Sequence, residues 1–163
     1  MQADMRNRFI DHHVFDFDKV FSERDDSDLV FDVACTPVLS CVQSGGYGTT
    51  LMYGQTGSGK TYTMSHIYKR SAQRLFYSDL ETRGEQIVYV SFLEISGDVI
   101  IDLLNRNSKC QILEGLAYPL VQVPCTSWQE LYQVIQLGGE LRATSATGVH
   151  DRSSRSHAIC QIQ

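Results

Sequence analysis

Apolar and polar residues alternate along residues 14–21, Val14-Phe15-Asp16-Phe17-Asp18-Lys19-Val20-Phe21. This predicts a strand with Phe15 and Phe17 on one face, and a turn or bulge near Lys19 where the register slips. The acidic stretch 22–27 reads as a turn. Ser27 or Asp28 can then cap a helix whose apolar stripe is Leu29, Val33, Val38, Leu39 and Val42, with a kink or late start at Pro37. Residues 44–48 form a glycine loop, and 49–53 a short β-prone run. A helix over about 61–67 and a second helical stretch around 71–80 follow. Residues 86–95 are strongly β-prone, Gly97-Asp98 is a turn signal, and 99–104 offers a second strand, so the three predict a hairpin. Residues 111–113 and 120–123 read as short strand pieces. Ser127-Trp128-Gln129-Glu130 fits a capping box that opens a helix lined by Leu131, Val134, Ile135 and Leu141. Residues 149–157 are polar and loop-like, and 158–162 alternate as a last strand.

The most specific chemistry lies between the run at 49–53 and the helix after it. Residues 54–61 read Gly54-Gln55-Thr56-Gly57-Ser58-Gly59-Lys60-Thr61, a complete G-x-x-x-x-G-K-T phosphate-binding loop. Glycines let the backbone curl so that successive N–H groups face phosphate oxygens, and the helix that follows turns its positive end to the same anion. Lys60 has the reach for the outer phosphates, and the Thr61 hydroxyl is placed to ligate Mg²⁺. Strand, glycine loop and helix in that order are the context the motif needs. The fold class is therefore α/β, a P-loop NTPase arrangement with a nucleoside triphosphate and Mg²⁺ as the expected ligands.

Composition narrows the picture little. A chain of 163 residues, 42% hydrophobic and 20% charged, suits one domain with its own core. The formal net charge of −5 argues against a nucleic-acid partner. No run approaches the ~18–20 apolar residues that span a bilayer, so no membrane partner is expected. Cys35, Cys41, Cys110, Cys125 and Cys160 are odd in number and lack C-x-x-C spacing, which favours free buried thiols over a disulfide framework or zinc site. His12 and His13 read as surface histidines, not metal ligands.

Further strings narrow the NTPase reading. Ser153-Ser154-Arg155-Ser156-His157 resembles the first nucleotide-sensing switch of kinesin motor domains. Phe15, Phe17, Asp18, Val20 and Phe21 match that family's F-x-F-D-x-V-F pattern, and the phosphate loop continues in kinesin-like fashion as Tyr62-Thr63-Met64. Glu94-Ile95 with Asp102-Leu103-Leu104 resembles the family's E-I-Y…D-L-L hairpin. Gly138, Arg142, Thr144 and Thr147 match G-x-x-x-R-x-T-x-x-T. The resemblance runs over roughly 13–163 in the family's order, which implies a kinesin-like mixed central sheet flanked by helices, with residues 1–163 as the N-terminal and central portion of a motor domain. It implies that 54–61 hold the triphosphate, that Tyr62 stacks on adenine, and that Ser153 and Ser154 contact the γ-phosphate, the metal and the attacking water. Thr61 and Ser154 are thus the implied metal ligands, and Lys60 and Ser154 would converge on the terminal phosphate. Arg155 resembles half of a salt bridge to the second switch. For Tyr62 a core aromatic in the first helical turn is the other reading, and for Ser153–Ser156 a plain serine-rich cap.

Departures from the pattern matter as much. His150 stands where the family has Asn, the connection 64–71 is too short for the family's insertion beside the phosphate loop, and Arg6-Asn7-Arg8-Phe9 lacks the proline of R-x-R-P. The D-x-x-G of the second switch and the helices that grip tubulin belong, in the family, after Gln163. The resemblance implies a motor that couples ATP hydrolysis to microtubule binding and movement or depolymerisation, located in the cytoplasm on the cytoskeleton. A hydrolysis-deficient nucleotide-binding module is the alternative. Gly45-Gly46 and residues 111–114 point to the depolymerising class. Because both neighbours of the strand at 49–53 lie after the first switch in the family, these residues alone are expected to be marginally stable, and cooperative unfolding of the isolated monomer would contradict that.

Overall fold

Asp26, not Ser27 or Asp28, caps the first helix. In the computed structural model, which describes residues 12–77, 86–145 and 156–163, Asp26 is extended and its Oδ1 accepts the Leu29 N–H at 2.8 Å. Helix α1 runs Ser27–Ala34 and α2 runs Thr36–Gln43. Pro37 sits in the first turn of α2, where a missing N–H breaks no helical bond, so the chain restarts there. The buried face of α1 also differs from the expected stripe. Phe31 and Cys35 are buried against Ile67, while Leu29 and Val33 are 39% and 42% exposed. Asp28 shares the face of Phe31 three residues on, and its Oδ1 lies 2.9 Å from Arg70 Nε and 3.1 Å from His66 Nε2. One large aromatic and one acid facing a basic helix outweigh two smaller aliphatic residues.

That basic helix is α3, Lys60–Tyr77, a single element of 18 residues where the sequence predicts two stretches. No Gly or Pro interrupts residues 60–77, so nothing stops propagation through Tyr68-Lys69-Arg70.

The sheet is built on β1, Val88–Ser96. Gly97-Asp98 turns the chain into β2, Val99–Asp102, and the hairpin is antiparallel from Ser96↔Val99 to Leu93↔Asp102, as the sequence predicts. Strands β3 (Ser108–Leu113) and β4 (Leu116–Tyr118) extend the sheet beyond β2. Strand β5 (Val123–Cys125) pairs with Val88–Val90, and β6 (His157–Ile162) runs from Val90↔Ile162 to Ile95↔His157. Val90 faces both Val123 and Ile162, and Leu93 both Asp102 and Ile159. So β2 and β5 share one edge of β1 and β6 takes the other. Every pairing among the described residues is antiparallel.

Helix α4, Trp128–Ser145, starts where the capping box places it. Ser127 Oγ accepts the Glu130 N–H at 3.3 Å, and Glu130 Oε2 accepts from the Thr126 N–H and Oγ1 at 2.8 and 2.9 Å. These bonds hold the Glu130 carboxyl below its ordinary pKa, the Thr126 N–H first among them. Val88, Val90 and Phe92 on one face of β1 meet Ala72 and Leu75 of α3 and Leu131 and Ile135 of α4 in the main core.

Two expected strands do not form among the described residues, and the piece expected at 120–123 is strand only from Val123, in β5. Residues 14–21 and 49–53 are irregular, with Val14, Phe15, Phe17 and Val20 at least 70% exposed, Leu51 80% and Tyr53 95%. Alternation selects a face, but a strand also needs a partner for its backbone groups, and no strand among the described residues pairs with either run. All five cysteines are unpaired thiols; Cys41 is exposed, and burial pushes the Cys160 thiol up to about 12. His12 and His13 are exposed. Among the described residues no helix is long and apolar enough to cross a membrane.

Candidate functional site

The loop from Gly54 to Gly59 closes on itself before α3 begins. The Ser58 N–H donates to Gln55 O at 3.2 Å, and Gly59 takes φ +87°, a left-handed conformation that glycine adopts without strain. The first helical bond runs from the Thr63 N–H to Gly59 O at 3.0 Å. The N–H groups of Lys60, Thr61 and Tyr62 therefore lie in the opening turn, outside the i→i−4 ladder, at the positive end of a five-turn helix. Lys60 Nζ donates to the carbonyls of Gly54 and Gln55, each at 2.7 Å, which fixes the ammonium at the mouth of the loop.

An open cavity of about 360 Å³ lies over this turn, lined by Thr56, Gly57, Gly59, Lys60, Thr61, Tyr62 and Arg142. Its donors are backbone N–H groups, one ammonium and one guanidinium, a set that suits an anion with several oxygens. The Thr61 hydroxyl is a neutral oxygen donor of the type a hard cation such as Mg²⁺ accepts. Tyr62 is 77% exposed on the cavity wall, which excludes the core-aromatic reading and leaves its ring face accessible. Of the residues singled out from sequence, Gly54, Gln55, Thr56, Gly57, Ser58, Gly59, Lys60, Thr61 and Tyr62 thus come together in one loop and helix start. Ser153, Ser154 and Arg155, and with them Thr147 and His150, lie outside the described residues.

Arg142 belongs to the G-x-x-x-R-x-T-x-x-T spacing, which by itself implies no role for it. Its Nε donates to Glu94 Oε1 at 3.2 Å, and its Nη2 donates to Ser156 O at 3.0 Å and Ser156 Oγ at 3.2 Å. The Ser156 hydroxyl donates in turn to Glu94 Oε1. Glu94 and Ser156 are both buried, at 6% and 9% exposure, so this triad joins β1, α4 and the residue that opens β6 out of bulk water. The G-x-x-x-R spacing has a physical cause here. Gly138 and Arg142 share a face of α4, Phe92 and Glu94 share a face of β1, and the two faces meet. A Cβ on Gly138 would stand 2.7 Å from the Phe92 ring, so only glycine lets α4 come close enough for Arg142 to reach Glu94. Gly138→Val is expected to cost about 1–3 kcal/mol by overpacking, read as a lower urea midpoint at unchanged slope.

The family model described as Kinesin motor domain matches residues 2–163. The chain is 33% identical over 168 residues to Diatom spindle kinesin-1 of Cylindrotheca fusiformis, covering 99% of this chain and 27% of that protein. It is 38% identical over 169 residues to Kinesin-like protein KIF24 of Mus musculus, covering 96% of this chain and 12% of that one. A solved structure described as that of a fast kinesin superposes with a TM-score of 0.82 at 32% identity, over 91% of this chain and 47% of its own. The chain thus spans about a quarter or less of these curated relatives and about half of the solved one. Family model, relatives and fold converge on one assignment: the chain belongs to the kinesin motor-domain family.

Proposed function

We propose that residues 1–163 are the N-terminal and central portion of a motor domain that binds ATP with Mg²⁺. In the complete protein this site would couple hydrolysis to microtubule binding and movement or depolymerisation, on the cytoskeleton in the cytoplasm. The observation that carries the proposal is the closed glycine loop set on the N-terminus of α3, with Lys60 at its mouth and an open cavity above.

The residues divide the task by their chemistry. The N–H groups at the start of α3 and the Lys60 ammonium would hold the phosphates, because each carries or concentrates positive charge where the cavity opens. Thr61 and Ser154 would hold the metal, whose role when bound is to neutralise charge that builds up on the phosphate oxygens. Tyr62 would give the base an apolar face. Ser153 and Ser154 would orient water for in-line attack, and Arg155 would pair with a carboxylate of the second switch.

Steady-state ATPase of the full-length natural protein, with and without microtubules, tests this. Microtubule-stimulated turnover is the expected result. Tight ATP binding with no turnover under either condition would replace the motor with a hydrolysis-deficient nucleotide-binding module.

A further inference from the structure

We propose that Arg142 is a positioning residue shared between the phosphate cavity and the start of β6, so that a polyphosphate in the cavity competes with Glu94 and Ser156 for one guanidinium. The proposal rests on the reading of 54–61 as a phosphate site and assigns a role beyond it.

Arg142 lines the same cavity as Lys60, yet its Nε and Nη2 are committed to Glu94 and Ser156. The Glu94 side chain is 8% exposed and that of Arg142 27%, so the acid is sealed inside while the base faces the opening. A guanidinium placed between a buried carboxylate and an anion-binding cavity feels both charges, and its planar fork lets it trade hydrogen bonds between them. The position is not incidental to the fold. Gly138 against Phe92 sets the depth of α4, and the triad ties Ser156, the residue after Ser153-Ser154-Arg155 in sequence, to β1.

Competition has a signature that a purely structural triad lacks. Glu94→Gln removes the rival charge but keeps the side-chain shape, which frees Arg142 to favour the anion. Ser156→Ala removes the hydroxyl link and keeps the carbonyl that Nη2 also uses. The experiment titrates full-length protein with Mg·ATP and, separately, with inorganic tripolyphosphate, for wild type, Arg142→Ala, Arg142→Lys and Glu94→Gln. Thermal unfolding of each apo form and amide exchange at 156–160 are followed alongside. Arg142→Ala is expected to weaken both ligands by about tenfold, the scale of one lost charge-assisted bond. Glu94→Gln is expected to tighten both a few-fold while lowering apo stability, and Arg142→Lys to fall between wild type and Arg142→Ala. In the wild type, ligand alters exchange at 156–160, and in Arg142→Ala it does not.

Weaker binding in Glu94→Gln, in parallel with its loss of stability, would reduce the triad to a structural clasp and overturn the proposal. So would unchanged affinity in Arg142→Ala. Wild-type protein that binds neither ligand would overturn the phosphate site itself, and the role of Arg142 with it.

Discussion

Lys60→Ala lowers ATP affinity by on the order of 10- to 100-fold, the range set by losing a hydrogen bond from a charged group, about 1.5–3 kcal/mol. The side chain that carries this effect already sits at the loop mouth, where two of its donors hold the Gly54 and Gln55 carbonyls. Removing it deletes the ammonium and loosens the loop at once, so both phosphate contact and loop order are lost. Lys60→Arg is expected to recover little, because a planar fork cannot place single donors on both carbonyls and a phosphate in the space of an ammonium. Calorimetric titration with Mg·ATP reads the change directly. Thermal unfolding of the apo protein should move little, since Lys60 belongs to none of the buried core clusters.

The largest stability effect falls elsewhere, at Asp102. Its side chain is fully buried at the end of β2. Oδ1 accepts the Leu104 N–H at 2.9 Å and Oδ2 accepts the Val121 N–H at 2.7 Å. One carboxylate thus closes the turn after β2 and ties it to the segment that enters β5. Asp102→Ala leaves two half-buried N–H groups without this acceptor, at up to about 1–3 kcal/mol each. The sum is a large part of the ~5–15 kcal/mol that holds a domain folded. Asp102→Asn keeps the shape and one acceptor but turns an amide donor toward an N–H, so its loss is intermediate. Urea unfolding of the full-length protein should rank the variants wild type, Asn, Ala by midpoint. Equal midpoints would show that Leu104 and Val121 find water or other acceptors.

What the sequence disclosed and what it hid follow one physical line. The phosphate loop, the Gly97-Asp98 hairpin and the Ser127–Glu130 cap were legible because each is specified by residues a few positions apart. The turn chemistry that makes them acts locally, whatever packs around them. Residues 14–21 and 49–53 carry good strand patterns, but pairing is a property of two segments, and the exposed Leu51 and Tyr53 show a pattern without its partner. The buried face of α1 departs from its apolar stripe for a related reason. Leu29 and Val33 are as apolar as a core stripe requires, yet Asp28 and Phe31 decide the rotation because His66, Arg70 and Ile67 await them on α3. Arg142 was visible as part of a spacing pattern, but its meaning needed Phe92 and Glu94 in place across the interface. The roles implied for Ser153, Ser154 and Arg155 rest on resemblance, while Ser156 beside them is held by a triad that no local pattern announces.

Two-dimensional NMR of amide-labelled protein during a Mg·ATP titration probes the phosphate loop residue by residue. The account predicts saturable shifts concentrated at the Gly57, Gly59, Lys60 and Thr61 N–H resonances, with smaller ones at Arg142 and Ser156. Resonances at the loop that stay unmoved at saturating ATP, or shifts confined to another surface, would contradict it.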